Sequence, residues 1–157
     1  MRRTRQKADD GLRPEMRTHL RPFGLWVTTI ETGLVTQGIP DFHYASNKRG
    51  FGMEGWCECK ATKAFAVVIK PMQVGFHERR ARYGLGSWIA IRRRTRGGKR
   101  QGAPVDELYL VPGCYVIELR DEGLDNGRSI FCGGGGPHKW DWNHVHALLT
   151  GPVVKRR

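Results

Sequence analysis

Asp41 follows Pro40, and seventeen residues further on the chain reads Glu58-Cys59-Lys60. Two carboxylates brought together from neighbouring strands, with a main-chain carbonyl, supply the hard oxygen donors that a magnesium ion takes, and they leave positions for water and substrate. A lysine two residues after the glutamate shares its face in an extended strand. From there its ammonium can position or deprotonate an attacking water and offset charge on a phosphate. The chemistry suggested is metal-assisted hydrolysis of a phosphodiester, with Asp41, Glu58 and Lys60 as its centre.

Such a site requires strands that start and stop in the right places. Met53 to Lys60 reads as a strand with Trp56, Glu58 and Lys60 on one face and Cys57 and Cys59 on the other. Gly38 to Tyr44 reads as a turn feeding an earlier strand, with Pro40 tolerable near its start, and a hairpin is expected around Gly50 and Gly52. Upstream, Leu12, Met16, Leu20 and Phe23 fall along one side of a short helix with Glu15 beside them, and Leu25–Ile30 is a strand.

Pro71 opens a helix that Gly84 stops. Its expected apolar stripe is Met72, Phe76 and Tyr83, with Gln73, His77 and Arg80 on an adjacent face. Ser87–Arg92 returns as a strand, and the segment from Arg93 to Pro104 is basic, glycine-rich and expected to be a loop. Short strands are expected at Glu107–Val111, Tyr115–Leu119 and Ser129–Cys132, then a turn at Gly133–Gly136 and a closing helix over Trp140–Leu149. This order predicts an α/β fold, a mixed central sheet flanked by helices, with a β-rich C-terminal extension. The expected layout is a flexible basic arm over 1–10, one domain over 11–150 and a basic tail over 151–157. Within the domain lie a core at 11–94, a basic loop at 92–104 and an extension at 105–150.

Of the 157 residues, 27 are Lys or Arg and 15 are Asp or Glu, a formal charge of +12 that points to a polyanionic partner. The excess is clustered: Arg2, Arg3, Arg5 and Lys7 lead the chain, Arg92, Arg93, Arg94, Arg96, Lys99 and Arg100 form an internal block, and Lys155, Arg156 and Arg157 close it. The internal block is the expected nucleic-acid contact, gripping backbone phosphates and not reading bases. No apolar run approaches the roughly 18 residues of a membrane span, and no apolar signal core follows the basic N-terminus. A soluble, cytoplasmic protein with no membrane partner is therefore expected. Cys57, Cys59, Cys114 and Cys132 contain no CxxC pair and suit neither a disulfide framework nor a zinc ribbon.

Pro40-Asp41 with Glu58-Cys59-Lys60, inside Gly38-Ile39-Pro40-Asp41-Phe42 and followed by Gln73 through Gly84, resembles the PD-(D/E)xK nuclease superfamily. The nearest kinds are Holliday-junction-resolvase-like and VRR-NUC-type enzymes, many of them phage-encoded. The resemblance covers about residues 11–94. It implies a restriction-endonuclease-like core, magnesium as cofactor with manganese able to substitute, and a DNA substrate. It also implies a homodimer and residence in the cytoplasm, that of the host if phage-encoded. It assigns metal binding to Asp41, Glu58 and the Cys59 carbonyl, catalysis to Lys60, support of a second metal to Glu15 (with Glu31 as a competing acid), and an active-site glutamine to Gln73. The function so implied is an endodeoxyribonuclease selective for DNA structure, since no base-reading module is present. Two other readings stand beside it: a catalytically silent nucleic-acid-binding protein on a nuclease fold, and an RNA-directed nuclease.

Overall fold

Apolar side chains on both faces of the central strands require cover on both sides, and the chain meets that need with a sheet between two helical layers. The computed structural model describes residues 9–30, 38–46, 53–100 and 102–156. The basic residues of the N-terminal arm, Glu31, the Gly50 and Gly52 turn, and Arg157 lie outside them. In chain order the elements are α1 (Leu12–Leu20), β1 (Trp26–Thr29), β2 (Phe42–Ser46), β3 (Met53–Thr62), α2 (Pro71–Arg82), β4 (Ser87–Thr95), β5 (Val105–Pro112), α3 (Val116–Glu122), β6 (Ile130–Gly134) and α4 (Trp142–Thr150).

The strands form one six-stranded sheet in sequence order, β1 to β6. Neighbours are antiparallel except β3 and β4, which run parallel. A parallel pair cannot be closed by a hairpin, so the chain crosses between them through α2. That crossover lays α2 over the face of β3 that carries Glu58 and Lys60.

Period-two alternation divides the core. On one face Cys57 and Cys59 of β3, Phe42 and Tyr44 of β2, and Leu108 and Leu110 of β5 pack against Leu12, Met16 and Leu20 of α1 and Val145 and Leu149 of α4. On the other, Ile89 and Ile91 of β4 and Val111 of β5 pack against Val116 and Leu119 of α3, with Val74 and Ala81 of α2 partly buried beside them. Each fully buried leucine here contributes about 1.5–3 kcal/mol of transfer free energy.

Several expectations are corrected. Tyr115–Leu119 is not a strand: a 3-10 turn over Gly113–Tyr115 leads into helix α3. A Cβ at Gly113 would collide with Ser87 Oγ and His77 Nδ1, so the chain is turned tightly under β4, and Val116 and Leu119 at helical spacing then reach the core. The C-terminal third is therefore mixed, and its strands β5 and β6 continue the same sheet.

On α2, Met72 and Tyr83 are exposed, while His77 is fully buried. The face turned to the sheet carries polar groups over β3, with Val74 and Ala81 on its apolar flank. Gln73 reaches Lys60, His77 reaches Ser87 and Arg80 reaches Glu54. Among the described residues no helix is long and apolar enough to cross a membrane.

Candidate active site

Strand β3 outruns β2. The first pairing of β2 sets Phe42 opposite Cys57, whereas β3 continues to Thr62. Before Phe42 the chain turns away through Gly38 and Pro40, and proline has no N–H to extend the ladder. Gly38 has φ 92°, and a Cβ there would stand 2.8 Å from Cβ of Met72. Its bare backbone thus lets the turn lie against the start of α2.

Asp41 fills the gap left in the ladder. Its Oδ2 accepts the Cys59 backbone N–H at 2.7 Å, while its own carbonyl accepts from Ile30 N–H at 2.9 Å. In an extended strand the N–H and C=O of one residue project to the same side, so the Cys59 carbonyl also lies on the Asp41 side of β3. The Cys59 thiol points back into the α1 core.

Glu58 and Lys60 project from β3 beneath α2. Lys60 Nζ is 3.0 Å from Glu58 Oε1 and donates to Gln73 Oε1 at 2.9 Å. Gln73 Nε2 donates in turn to Glu58 Oε1, and Gln73 Oε1 also accepts the Lys70 backbone N–H at 3.0 Å. Gln73 is therefore held by the first turn of α2 while it grips both β3 side chains, fixing a lysine that would otherwise be free to rotate.

Glu58 is only 5% exposed. Burial, and then the nearby Asp41 charge, raise its pKa to about 7, with Lys60 and Lys70 pulling the other way. The Asp41 carboxyl is also raised, by burial, against the opposing pull of the Cys59 N–H and Arg13. A buried and a half-buried acid that repel each other form a donor set whose repulsion a divalent cation would cancel. Oxygen donors suit magnesium or manganese. Among the described residues no group of three His, Cys, Asp or Glu side chains is arranged to hold a metal ion. With the two acids, the Cys59 carbonyl, water and substrate phosphate would complete the coordination.

Glu15 is not gathered with these acids. It lies on α1 with its carboxylate 3.4 Å from His19, and Arg13 is the residue of that helix that meets Asp41, at 3.8 Å. Arg13 and Lys70 were missed by reading along the chain, and only the fold brings them to the acids. His43 bonds Glu54 at 2.8 Å. His77 shares a 2.9 Å hydrogen bond with Ser87, its pKa lowered to about 3 chiefly by burial, so it is a neutral core histidine.

The basic block divides in two. Arg92 and Arg93 are not loop residues, because β4 runs to Thr95. Arg92 makes a bidentate pair with Asp106 at 2.8 and 2.7 Å and lies over the Trp140 ring, while Arg93 pairs with Glu107 at 2.7 Å and lies over Phe65. Arg94 is 3.6 Å from Asp10 and 3.7 Å from Asp106. All three arginines stand on β4 and not on a loop, which corrects their expected placement; Arg92 and Arg93 are engaged within the protein, whereas Arg94 is exposed. Arg96, Lys99 and Arg100 are exposed beyond β4, at the sheet end toward which Glu58 and Lys60 lie.

The chain matches none of the models of known protein families and none of the curated proteins with which it was compared, so what these residues do has to follow from their own geometry.

Proposed function

We propose that this chain is a metal-dependent DNA endonuclease on a restriction-endonuclease-like core, acting on branched or otherwise distorted DNA. The observation that carries the reading is the convergence of two acids, the buried Glu58 and the half-buried Asp41, with Lys60 3.0 Å from Glu58. The resemblance of these motifs to the PD-(D/E)xK superfamily supports it, as does the +12 charge.

Asp41, Glu58 and the Cys59 carbonyl would hold magnesium, or manganese in its place. When bound, the ion polarises a phosphoryl oxygen and makes a coordinated water a better nucleophile. Gln73 and Glu58 hold the Lys60 ammonium at the position where it orients that water and offsets charge growing on the phosphate. Water adds to phosphorus, one P–O ester bond breaks, and the departing oxygen takes up a proton to leave as a hydroxyl. Pairing of two copies is part of the proposal, and sedimentation of the free protein reads it.

The test is incubation of the protein with linear duplex, single-stranded, flap, four-way-junction and RNA substrates in magnesium, manganese, calcium or chelator. Cutting of branched DNA in magnesium and manganese, with binding but no cutting in calcium, is the expected result. Binding without cleavage under every condition would leave a silent nucleic-acid-binding protein, and cleavage of RNA alone would make it an RNA-directed nuclease.

A further inference from the structure

Beside the acid pair, α1 presents a basic groove. Arg13, Arg17 and Arg21 recur every four residues along the helix and the turn that ends it. Successive members are about 6 Å apart along the axis and share one side. They line an open groove of about 600 Å³ together with Thr18, Thr29 and two prolines. Arg13 belongs to both places, since it lines the groove and lies 3.8 Å from Asp41.

The partners of these arginines differ. Among the described residues the ion pairs of α1 involve Arg13 and His19, whereas Arg17 and Arg21 are exposed and have no carboxylate within ion-pair distance. Arg92 and Arg93, by contrast, are committed to Asp106 and Glu107. Guanidinium groups without internal carboxylates, joined by two threonine hydroxyls, suit phosphate oxygens. The span of about 12 Å from Arg13 to Arg21 covers about three and a half steps of a strand rising 3.4 Å each, so the three arginines can each reach a different phosphate.

We infer that this groove binds the sugar–phosphate backbone of DNA through Arg13, Arg17 and Arg21, and that Arg13 hands the strand to Asp41 and Glu58. The inference rests on the nuclease reading for its choice of DNA, but its test does not depend on cleavage. Binding of a labelled DNA duplex, and of RNA of the same sequence, is measured by fluorescence anisotropy over a range of salt. Chelator and the Lys60→Ala background keep strand breakage out of the measurement.

Arg17→Ala with Arg21→Ala should weaken DNA binding on the order of tenfold and make log K against log[salt] shallower by about 0.9 for each phosphate that is no longer neutralised. Arg17→Glu with Arg21→Glu should weaken it further. Arg79→Ala with Arg82→Ala, an equal loss of charge from exposed positions on α2, should leave affinity within about twofold if position and not total charge decides. Unchanged thermal melting of the variants shows that the fold survives.

Wild-type affinity and salt slope in the groove variant would overturn the inference, as would an equal loss in the α2 control, or tight binding of RNA with none of DNA. Failure of the parent protein to bind DNA at all would overturn it together with the proposed function. A groove effect on binding, with no cleavage in magnesium or manganese, would leave the groove standing and remove the nuclease reading alone.

Discussion

The backbone N–H of Cys59 donates to the Asp41 carboxylate at 2.7 Å, so one side chain both closes the frayed end of a strand ladder and faces the candidate metal position. These two tasks separate by mutation. Asp41→Asn keeps an oxygen that can accept from Cys59 and loses the charge, whereas Asp41→Ala leaves the amide without its partner. In urea denaturation the alanine variant should be less stable than the asparagine variant by about 1–2 kcal/mol. Both should lose divalent-metal binding in titration calorimetry.

The raised Glu58 pKa of about 7 sets a sign for pH dependence. Between roughly pH 4.5, where an ordinary glutamate titrates, and pH 7, the native protein holds a proton that the unfolded chain has released. In chelator, stability should therefore be highest at the acid end of that window and fall toward neutrality, by up to about 3 kcal/mol for full ionisation. Glu58→Gln should flatten the slope. Metal affinity should move the other way, rising with pH as the proton that competes for the site leaves.

Lys60 touches Glu58 and Gln73, which makes its loss local. Lys60→Ala should lower the single-turnover cleavage rate at least about a hundredfold while DNA affinity in chelator stays within about twofold. Gln73→Ala frees the ammonium without removing it, and a smaller loss of roughly tenfold is expected. Equal losses in binding and cleavage for Lys60→Ala would remove its catalytic assignment.

Arg92 is 6% exposed, bidentate to Asp106 and laid over Trp140. Arg92→Ala should destabilise the fold by about 3 kcal/mol, because it takes the bidentate partner from Asp106, leaving only the longer contact to Arg94, and strips the cover from Trp140. Neutralising Arg96, Lys99 and Arg100 together should change stability by less than about 0.5 kcal/mol, as expected of exposed positions. Chemical denaturation of the two variants checks both.

The alternation of Cys57, Glu58, Cys59 and Lys60 was legible because a strand has only two faces, and the proline and glycine that bound α2 placed Gln73 within reach. Tyr115–Leu119 misled because aromatic and β-branched residues favour strands locally, while the tight packing under Gly113 and the helical spacing of Val116 and Leu119 decided otherwise. The arginine block misled for a related reason. Its partners Asp106 and Glu107 are visible in the sequence, but only the antiparallel register of β4 with β5, Arg93 opposite Glu107 and Arg94 opposite Asp106, turns separate charge runs into ion pairs. Arg13 meets Asp41 through the packing of α1 on the sheet, which no local pattern encodes.

The alternation along β3 also bears on which length changes the chain can tolerate. Cys57 and Cys59 sit in the α1 layer, while Glu58 and Lys60 face α2. Deleting or inserting one residue in this strand would exchange the two sets, driving both charges into an apolar core and leaving thiols in place of the acid and the amine. Packing and chemistry thus share a single reading frame here, and lineages of this chain should vary in length at the turns around β3 and not within it.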